Sequence, residues 1–171
     1  MAAACAMAAV TAADAGDFGR GAMSVRWTLT DGHLGDVVVT DGINRRELPI
    51  VAPFQLTLAD GKVLGPADFR LDGDVREQAL KAEPKASRAA ERLPGRIATA
   101  RFTDAEGRFR IDQEWVQRDG SDYLRERVTV TALRQDEAIR RVDLLQAKVP
   151  DSEVMGSVDG SPVVSGRDWF G

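Results

Sequence analysis

The chain has 171 residues, 43% hydrophobic and 29% charged, which is typical of one folded, soluble domain with a sizeable core and not of a disordered protein. Its net charge of −4 comes from 23 basic and 27 acidic residues mixed along the sequence, and no basic block indicates a nucleic-acid partner. The sequence contains no apolar run of about 18 residues, so we expect no membrane span.

Residues 1–22 are predicted to be a signal-peptide-like or disordered segment. Met1–Ala15 are almost all small or apolar, and they end in a small-x-small pattern, Ala13-Asp14-Ala15, as a signal-peptidase site would. This stretch contains no lysine or arginine, so the positively charged start of a usual signal peptide is missing. A disordered alanine-rich tail is the alternative interpretation. We predict an exported protein, periplasmic or extracellular. Cys5 is the only cysteine, so the mature domain would contain neither a disulfide nor a cysteine-ligated metal.

From Met23 onward, apolar and polar residues alternate with the period of a half-buried strand. In Ser24–Thr30, three apolar side chains point to one side, namely Val25, Trp27 and Leu29. Further short runs of this kind are Leu34–Thr40, Phe54–Leu58 and Val63-Leu64. Asp-Gly dipeptides, which are strong hairpin signals between such runs, begin at Asp31, Asp41, Asp60, Asp72, Asp119 and Asp159.

The second half of the sequence holds the longest predicted strands. They are Arg96–Thr103, Arg108–Gln117, Tyr123–Leu133 and Ala138–Val149. Strands of about ten residues exceed the usual five or six and indicate a large, curved antiparallel sheet. Val75–Arg92 is helical by propensity, but Pro84 interrupts it. We therefore predict at most two short helical turns on a loop there, with an extended polar strand as the alternative.

These patterns predict an all-β fold, an antiparallel β-sandwich of supersandwich-like type with long meander strands and little helix. The sandwich is expected to span residues 23–171. Gly156–Gly171 combines turn formers with apolar residues and stops at Trp169-Phe170-Gly171. A free C-terminus is normally polar, so we predict that the domain is truncated at its C-terminal end.

The titratable residues form no evident catalytic or metal-binding pattern. His33 is the only histidine, which argues against a catalytic triad or a histidine metal centre. Asp112 and Glu114 share one strand face but are interpreted as structural. Asp31, Asp36 and Asp41 are interpreted as turn-capping aspartates. Glu126 is predicted to take part in cross-strand charge pairing. We expect no catalytic residue, no metal and no cofactor in this chain.

Three aromatic side chains are candidates for carbohydrate binding, because exposed aromatic rings can stack on sugars while buried ones fill cores. They are Trp115, Tyr123 and Trp169. Trp27 is in phase with Val25 and Leu29 and is assigned to the core. Trp115 is in phase with the apolar side chains of its strand, so the core is its default interpretation as well.

Several segments together resemble a known family. They are Phe54–Gly61, Arg108–Trp115, Asp119–Arg125, Val158–Gly166 and Trp169-Phe170-Gly171. They are similar to the N-terminal β-sandwich of large exported bacterial glycoside hydrolases, the α-galactosidase and endo-α-N-acetylgalactosaminidase group, some of which are labelled enterotoxin. The resemblance covers Met23–Gly171 and rests on turns and strand patterns. It implies that the catalytic carboxylates lie on a following (β/α)8 barrel, so no catalytic residue is carried over to this chain.

Two functions are therefore expected. In the first, the chain is the non-catalytic β-sandwich portion of an exported glycan-degrading glycoside hydrolase. Its partner would then be the catalytic barrel of the parent chain, and the parent would be a glycosidase. In the alternative, the chain is a self-standing carbohydrate-binding or periplasmic adhesion module with a glycan ligand. An independent enzyme is the least favoured interpretation.

Overall fold

A computed structural model describes residues 14–134 and 136–149 of the chain. This part of the protein is built almost entirely of antiparallel strands, which confirms the predicted all-β class. Short 3-10 turns occur at Pro66–Asp68 and Ala89–Arg92. The strands are β1 (Asp14–Arg20), β2 (Met23–Thr30), β3 (His33–Asp41), β4 (Arg46–Ala52), β5 (Gln55–Leu58), β6 (Val63–Leu64), β7 (Phe69–Leu71), β8 (Arg76–Leu80), β9 (Gly95–Asp104), β10 (Phe109–Arg118), β11 (Arg125–Ala132), β12 (Ile139–Asp143) and β13 (Gln146–Ala147).

Five strands form the front sheet, in the order β1-β2-β3-β4-β13. The hairpin between β2 and β3 turns at Asp31 and Gly32, whose φ angles are 52° and 79°. Two successive positive φ angles are what a type I′ hairpin turn requires. After β3, Asp41 Oδ1 accepts hydrogen bonds from the backbone N–H groups of Ile43 and Asn44, at 2.9 and 3.0 Å. These aspartates end strands as the sequence predicts.

The back sheet has the order β11-β10-β9-β7, and β8 pairs with the same edge of β9 as β7 does. β7 lies beside Phe102–Asp104 and β8 beside Gly95–Thr99, so the two short strands follow one another along β9. β9 and β10 are each 10 residues long, as predicted. Their pairing gives this sheet its length.

A small sheet of three strands, β12-β5-β6, completes the fold. The prediction of one continuous strand over Ala138–Val149 is wrong, because β12 pairs with β5 whereas β13 pairs with β4 of the front sheet. The adjacent Leu144 and Leu145 break the alternation of apolar and polar residues at this point. The chain leaves the small sheet there and crosses to the front sheet.

The core lies between the inner faces of the front and back sheets, which is the arrangement of a β-sandwich. Trp27 of the front sheet and Trp115 of the back sheet both border a narrow cavity between the sheets. Trp27 is 8% exposed, which confirms its assignment to the core. The fully buried aromatic side chains are Phe18, Phe54, Phe69, Phe102 and Phe109.

Two predicted segments differ from the structure in part. β1 lies within residues 1–22 and pairs along its whole length with β2, so Asp14–Arg20 belongs to the sandwich; residues 1–13 lie outside the described part. Residues 75–92 combine both interpretations, since β8 is an edge strand and Ala89–Arg92 is a single 3-10 turn. The alanines favour helix locally, but pairing with β9 determines the conformation of β8.

Candidate functional site

Residues 81–94, which we call the covering loop, fold over the outer face of the back sheet at the end of β10. Arg118 fixes both ends of this loop: its Nη1 donates hydrogen bonds to the backbone carbonyls of Lys81 at 3.0 Å and Leu93 at 2.9 Å. The backbone N–H of Asp119 donates to the carbonyl of Pro94. Val116 and Arg118 are buried, although alternation along β10 places both on the outer face.

The covering loop and β11 enclose a depression that we call the arginine cleft. Its lining residues are Arg88, Ala90, Glu91, Val116, Arg118, Tyr123 and Arg125. Arg125 Nη1 lies 3.0 Å from Glu91 Oε1, and Arg88 Nη1 lies 3.5 Å from the same oxygen. The hydrogen bond from Arg125, together with the positive charges of Arg125, Arg88 and Arg118, lowers the pKa of Glu91 below its ordinary value. Two guanidinium groups therefore pair with one carboxylate, and the charge of a third, Arg118, also acts on it.

Arg118 is the unusual member of the arginine cleft. The residue is 8% exposed, and its Nε is buried without a hydrogen-bond partner in the described structure. Its two hydrogen bonds go to neutral carbonyls, and it forms no ion pair with a described carboxylate. Burial of a cation without a paired anion is unfavourable. The cleft thus holds positive charge that its own glutamate does not fully compensate.

The two predicted carbohydrate-binding aromatics that the structure describes, Trp115 and Tyr123, do not lie in one site. Trp115 is 8% exposed and belongs to the core cluster, in agreement with its phase on β10. Tyr123 is 50% exposed and forms part of the wall of the arginine cleft. Trp169 lies outside the described residues. Of the two that the structure describes, Tyr123 is the one that offers its side chain to a ligand.

The outer face of the back sheet carries ion pairs that use the predicted Asp112 and Glu114. Asp112 accepts hydrogen bonds from Arg101 Nε at 2.8 Å and Arg110 Nε at 3.0 Å. These arginines lower the pKa of Asp112, against the opposing effect of its partial burial. Glu114 pairs with Arg127 across β10 and β11. Because both carboxylates are engaged by arginines, their structural interpretation stands.

Glu126 was predicted to pair with a charged residue across the sheet, and this prediction is wrong. Alternation along β11 turns Glu126 to the inner face, opposite Trp115, while the flanking Arg125 and Arg127 point outward. Its carboxylate accepts a hydrogen bond from Gln113 Nε2 at 2.7 Å. Burial raises the pKa of Glu126 from 4.5 to about 7, and the hydrogen bond from Gln113 only partly opposes this rise. Among the described carboxyl groups it is the one best placed to change its charge near neutral pH.

The single histidine, His33, contacts the protein backbone. His33 Nδ1 lies 2.8 Å from the carbonyl oxygen of Phe69, which joins β3 to β7. Within residues 14–134 and 136–149, no group of three or more His, Cys, Asp or Glu side chains could hold a metal ion. None of the helical segments in this part has the length and apolar character that crossing a bilayer requires.

Exposed apolar side chains are concentrated near the end of the described chain. Six of them are Leu133, Ile139, Val142, Leu144, Leu145 and Val149, with exposures between 37% and 57%. Ile139 pairs with Leu58, and Val142 pairs with Leu56. Since directly opposite residues point to the same side of a sheet, β12 extends the buried surface of β5 to a partly uncovered edge. We call Ile139, Val142, Leu144 and Leu145 the apolar edge.

Sequence reasoning missed the arginine cleft. Arg88, Glu91 and Arg125 are separated along the chain, and Arg118 appears in the sequence only as the residue before an Asp-Gly turn. The alternating arginines of the last long strands, such as Arg125 and Arg127, are the one local signal. Comparisons with protein-family models, with curated proteins and with solved structures found no match.

Proposed function

We propose that this chain is the non-catalytic β-sandwich portion of an exported glycan-degrading glycoside hydrolase, and that its apolar edge packs against the catalytic barrel. The observation that carries the proposal is the apolar edge itself. Leu144 and Leu145 are 57% and 47% exposed, and they follow β12 directly, whose Val142 pairs with the buried Leu56 of β5. Neighbouring exposed apolar residues of this kind are typical of surfaces that another domain covers.

The rest of the described chain supports a scaffold role. Asp112 and Glu114 on the outer face of the back sheet pair with arginines, and His33 contacts a backbone carbonyl. The glycan-degrading part of the proposal rests on the resemblance of the strand and turn segments. Export rests on the composition of Met1–Ala15, most of which lies outside the described residues.

Hydrogen exchange tests the packing of the apolar edge. The 171-residue chain is compared with the full product of the gene that encodes it, and a full product without a following barrel would itself contradict the proposal. We expect backbone amides of residues 139–147 to exchange at least tenfold more slowly in the full product, because docking covers the edge strand. The amides of β2, which is paired on both sides, serve as the control and should not change. Equal exchange of residues 139–147 in the two proteins would contradict the proposal.

A second candidate function, a carbohydrate-binding module, is favoured by one observation: the half-exposed Tyr123 in the wall of a polar cleft. Aromatic rings beside hydrogen-bond donors are suited to sugars, because the ring covers the apolar face of a pyranose while donors bind its oxygens. Binding of glycans by the purified chain, and its loss in Tyr123→Ala with folding retained, tests this candidate. Hydrolysis of aryl glycosides by the chain alone would contradict both functions.

A further inference from the structure

We infer that the mouth of the arginine cleft binds an acidic saccharide, with the carboxylate or sulfate group of the sugar against Arg88 and Arg125, the buried Arg118 adding positive charge, and a sugar ring against Tyr123. This inference rests on the second candidate function, glycan binding, and specifies the class of glycan.

The charge of the cleft is the first support. Glu91 Oε1 is within 3.0 Å of Arg125 Nη1 and 3.5 Å of Arg88 Nη1, so one negative charge faces two direct cationic partners. Arg118 adds a third cation without an ion pair of its own in the described structure. An incoming oxyanion would neutralise charge that the protein leaves uncompensated. Guanidinium groups bind carboxylate, sulfate and phosphate oxygens through paired N–H donors.

The state of Arg118 is the second support. Its side chain is more than nine-tenths buried and reaches the lining of the cleft, yet its Nε has no partner. Because this nitrogen is itself buried, Arg118 attracts an anion through its charge and not through a direct contact at Nε. Because Arg118 also holds Lys81 and Leu93, its guanidinium is fixed in place before any ligand arrives. A preorganised donor loses little conformational freedom on binding.

The surroundings favour a saccharide over a small inorganic anion. Tyr123 supplies an exposed aromatic side chain to the same cleft as Arg125. The cleft itself encloses only about 10 Å³, room for about one water, so a sugar would lie across its mouth and not inside it. Arg118 also borders a second depression of about 440 Å³, lined also by Arg20, Arg96, Gln117, Asp119 and Ser121. A saccharide chain would cover Tyr123 as well as the arginines, whereas free sulfate would use only the arginines.

Calorimetric titration of the 171-residue chain tests the inference. The ligands are a uronic acid tetrasaccharide, a sulfated tetrasaccharide, a neutral galactose tetrasaccharide and inorganic sulfate. We expect at least one acidic tetrasaccharide to bind at least tenfold more tightly than the neutral one and than sulfate. Binding by the uronate or by the sulfated sugar identifies which acidic group the cleft accepts, and raised salt should weaken it.

Three variants assign the binding to the cleft. Tyr123→Ala and Arg88→Gln should each weaken the acidic saccharide at least fivefold, because the first removes the ring and the second an exposed guanidinium. Arg26→Gln is the matched control: Arg26 is an exposed arginine of the front sheet that pairs with Glu47 at 3.4 Å, and its loss should leave affinity unchanged. Circular dichroism confirms that each variant is folded.

The outcomes separate the inference from the function on which it rests. Equal binding of the neutral tetrasaccharide, lost in Tyr123→Ala, would overturn the acidic specificity and leave glycan binding intact. Sulfate binding as tightly as the saccharides would overturn the inference in favour of a simple anion site. An equal effect of Arg26→Gln would show that general charge attraction is responsible and would also overturn it. If none of the four ligands binds, both the inference and the glycan-binding function are overturned.

Discussion

The side-chain amide of Gln117, in the back sheet, donates a hydrogen bond to the backbone carbonyl of Met23, in the front sheet, at 3.0 Å. The same amide nitrogen donates to the carbonyl of Arg20, and Gln117 Oε1 accepts from the N–H of Arg20, both at 2.8 Å. One buried side chain therefore satisfies three backbone groups of the β1–β2 hairpin. The two sheets are joined here by hydrogen bonds as well as by apolar packing.

Gln117→Leu should destabilise the fold by about 2 to 3 kcal/mol, because the backbone groups of Arg20 and Met23 lose their partners in a partly buried place. Urea unfolding followed by tryptophan fluorescence measures the change. Gln78→Leu, at an exposed position on β8, is the control and should change the free energy of unfolding by less than about 0.5 kcal/mol. Similar effects of the two substitutions would show that the contacts of Gln117 contribute little.

Glu126 should make stability depend on pH. Its pKa is raised from 4.5 to about 7 by burial, so the folded state binds a proton more readily than the unfolded state does. The contribution of this group is fully present below pH 4.5 and is lost as the pH rises through about 7. The loss corresponds to at most about 3 kcal/mol. We expect Glu126→Gln, which keeps a neutral side chain, to flatten the decline between these pH values.

Free energies of unfolding at a series of pH values from 4 to 8, about one unit apart, provide the measurement for this prediction. Glu83→Gln, on the exposed covering loop, is the control and should retain the wild-type profile. If Glu126→Gln declines with pH as steeply as the wild type, another group is responsible.

Gly16→Ala should destabilise the front sheet. Gly16 pairs with Trp27 across β1 and β2, and a Cβ at position 16 would lie 2.5 Å from Trp27 Cε2. The indole would have to move within a packed core, at a cost of about 1 to 3 kcal/mol. Gly65→Ala is a suitable control, since a Cβ there meets nothing within 4 Å. Thermal unfolding of both variants checks the prediction, and equal melting temperatures would contradict it.

Arg118→Met should release the covering loop, because methionine cannot donate to the carbonyls of Lys81 and Leu93. The loop contains several trypsin sites, at Lys81, Lys85, Arg88 and Arg92. We expect cleavage within the loop to become at least tenfold faster. The measurement is limited trypsin digestion with the fragments identified by mass. Arg101→Met, which removes an arginine from the same outer face but outside the loop, should digest at the wild-type rate; equal acceleration in both variants would argue against a specific clamp.

The strands and hairpin turns could be predicted because their determinants are local. Asp31-Gly32 tolerates the positive φ angles of its turn, and the alternation of Val25 and Trp27 sets which face of β2 is buried. The prediction for Glu126 was wrong because it relied on the charged neighbours Arg125 and Arg127. Alternation along the strand places Glu126 on the opposite face from these neighbours. The segment Ala138–Val149 was wrongly predicted as one strand. The adjacent Leu144 and Leu145 interrupt the alternation of apolar and polar residues, so the sequence does not show where one strand ends and the next begins.

The candidate site could not be predicted from the sequence, because it depends on where the covering loop lies. Nothing around Pro84 indicates that the chain returns over β10, and the burial of Arg118 follows only from that return. The exposure of Tyr123 could not be read from its strand phase either, since it precedes β11. Family resemblance did not help, because its segments describe strands and turns rather than a binding site.

The arrangement of the small sheet has a consequence for how the protein folds during synthesis. β5 ends at Leu58, but its partner β12 begins only at Ile139, and the front sheet likewise waits for β13 to cover β4. Pairing between segments so distant in sequence is slow. A nascent chain would therefore expose one edge of β4 and of β5 until nearly all the described residues have left the ribosome. The strands that close the front and the small sheet, β13 and β12, are synthesised after every other described strand.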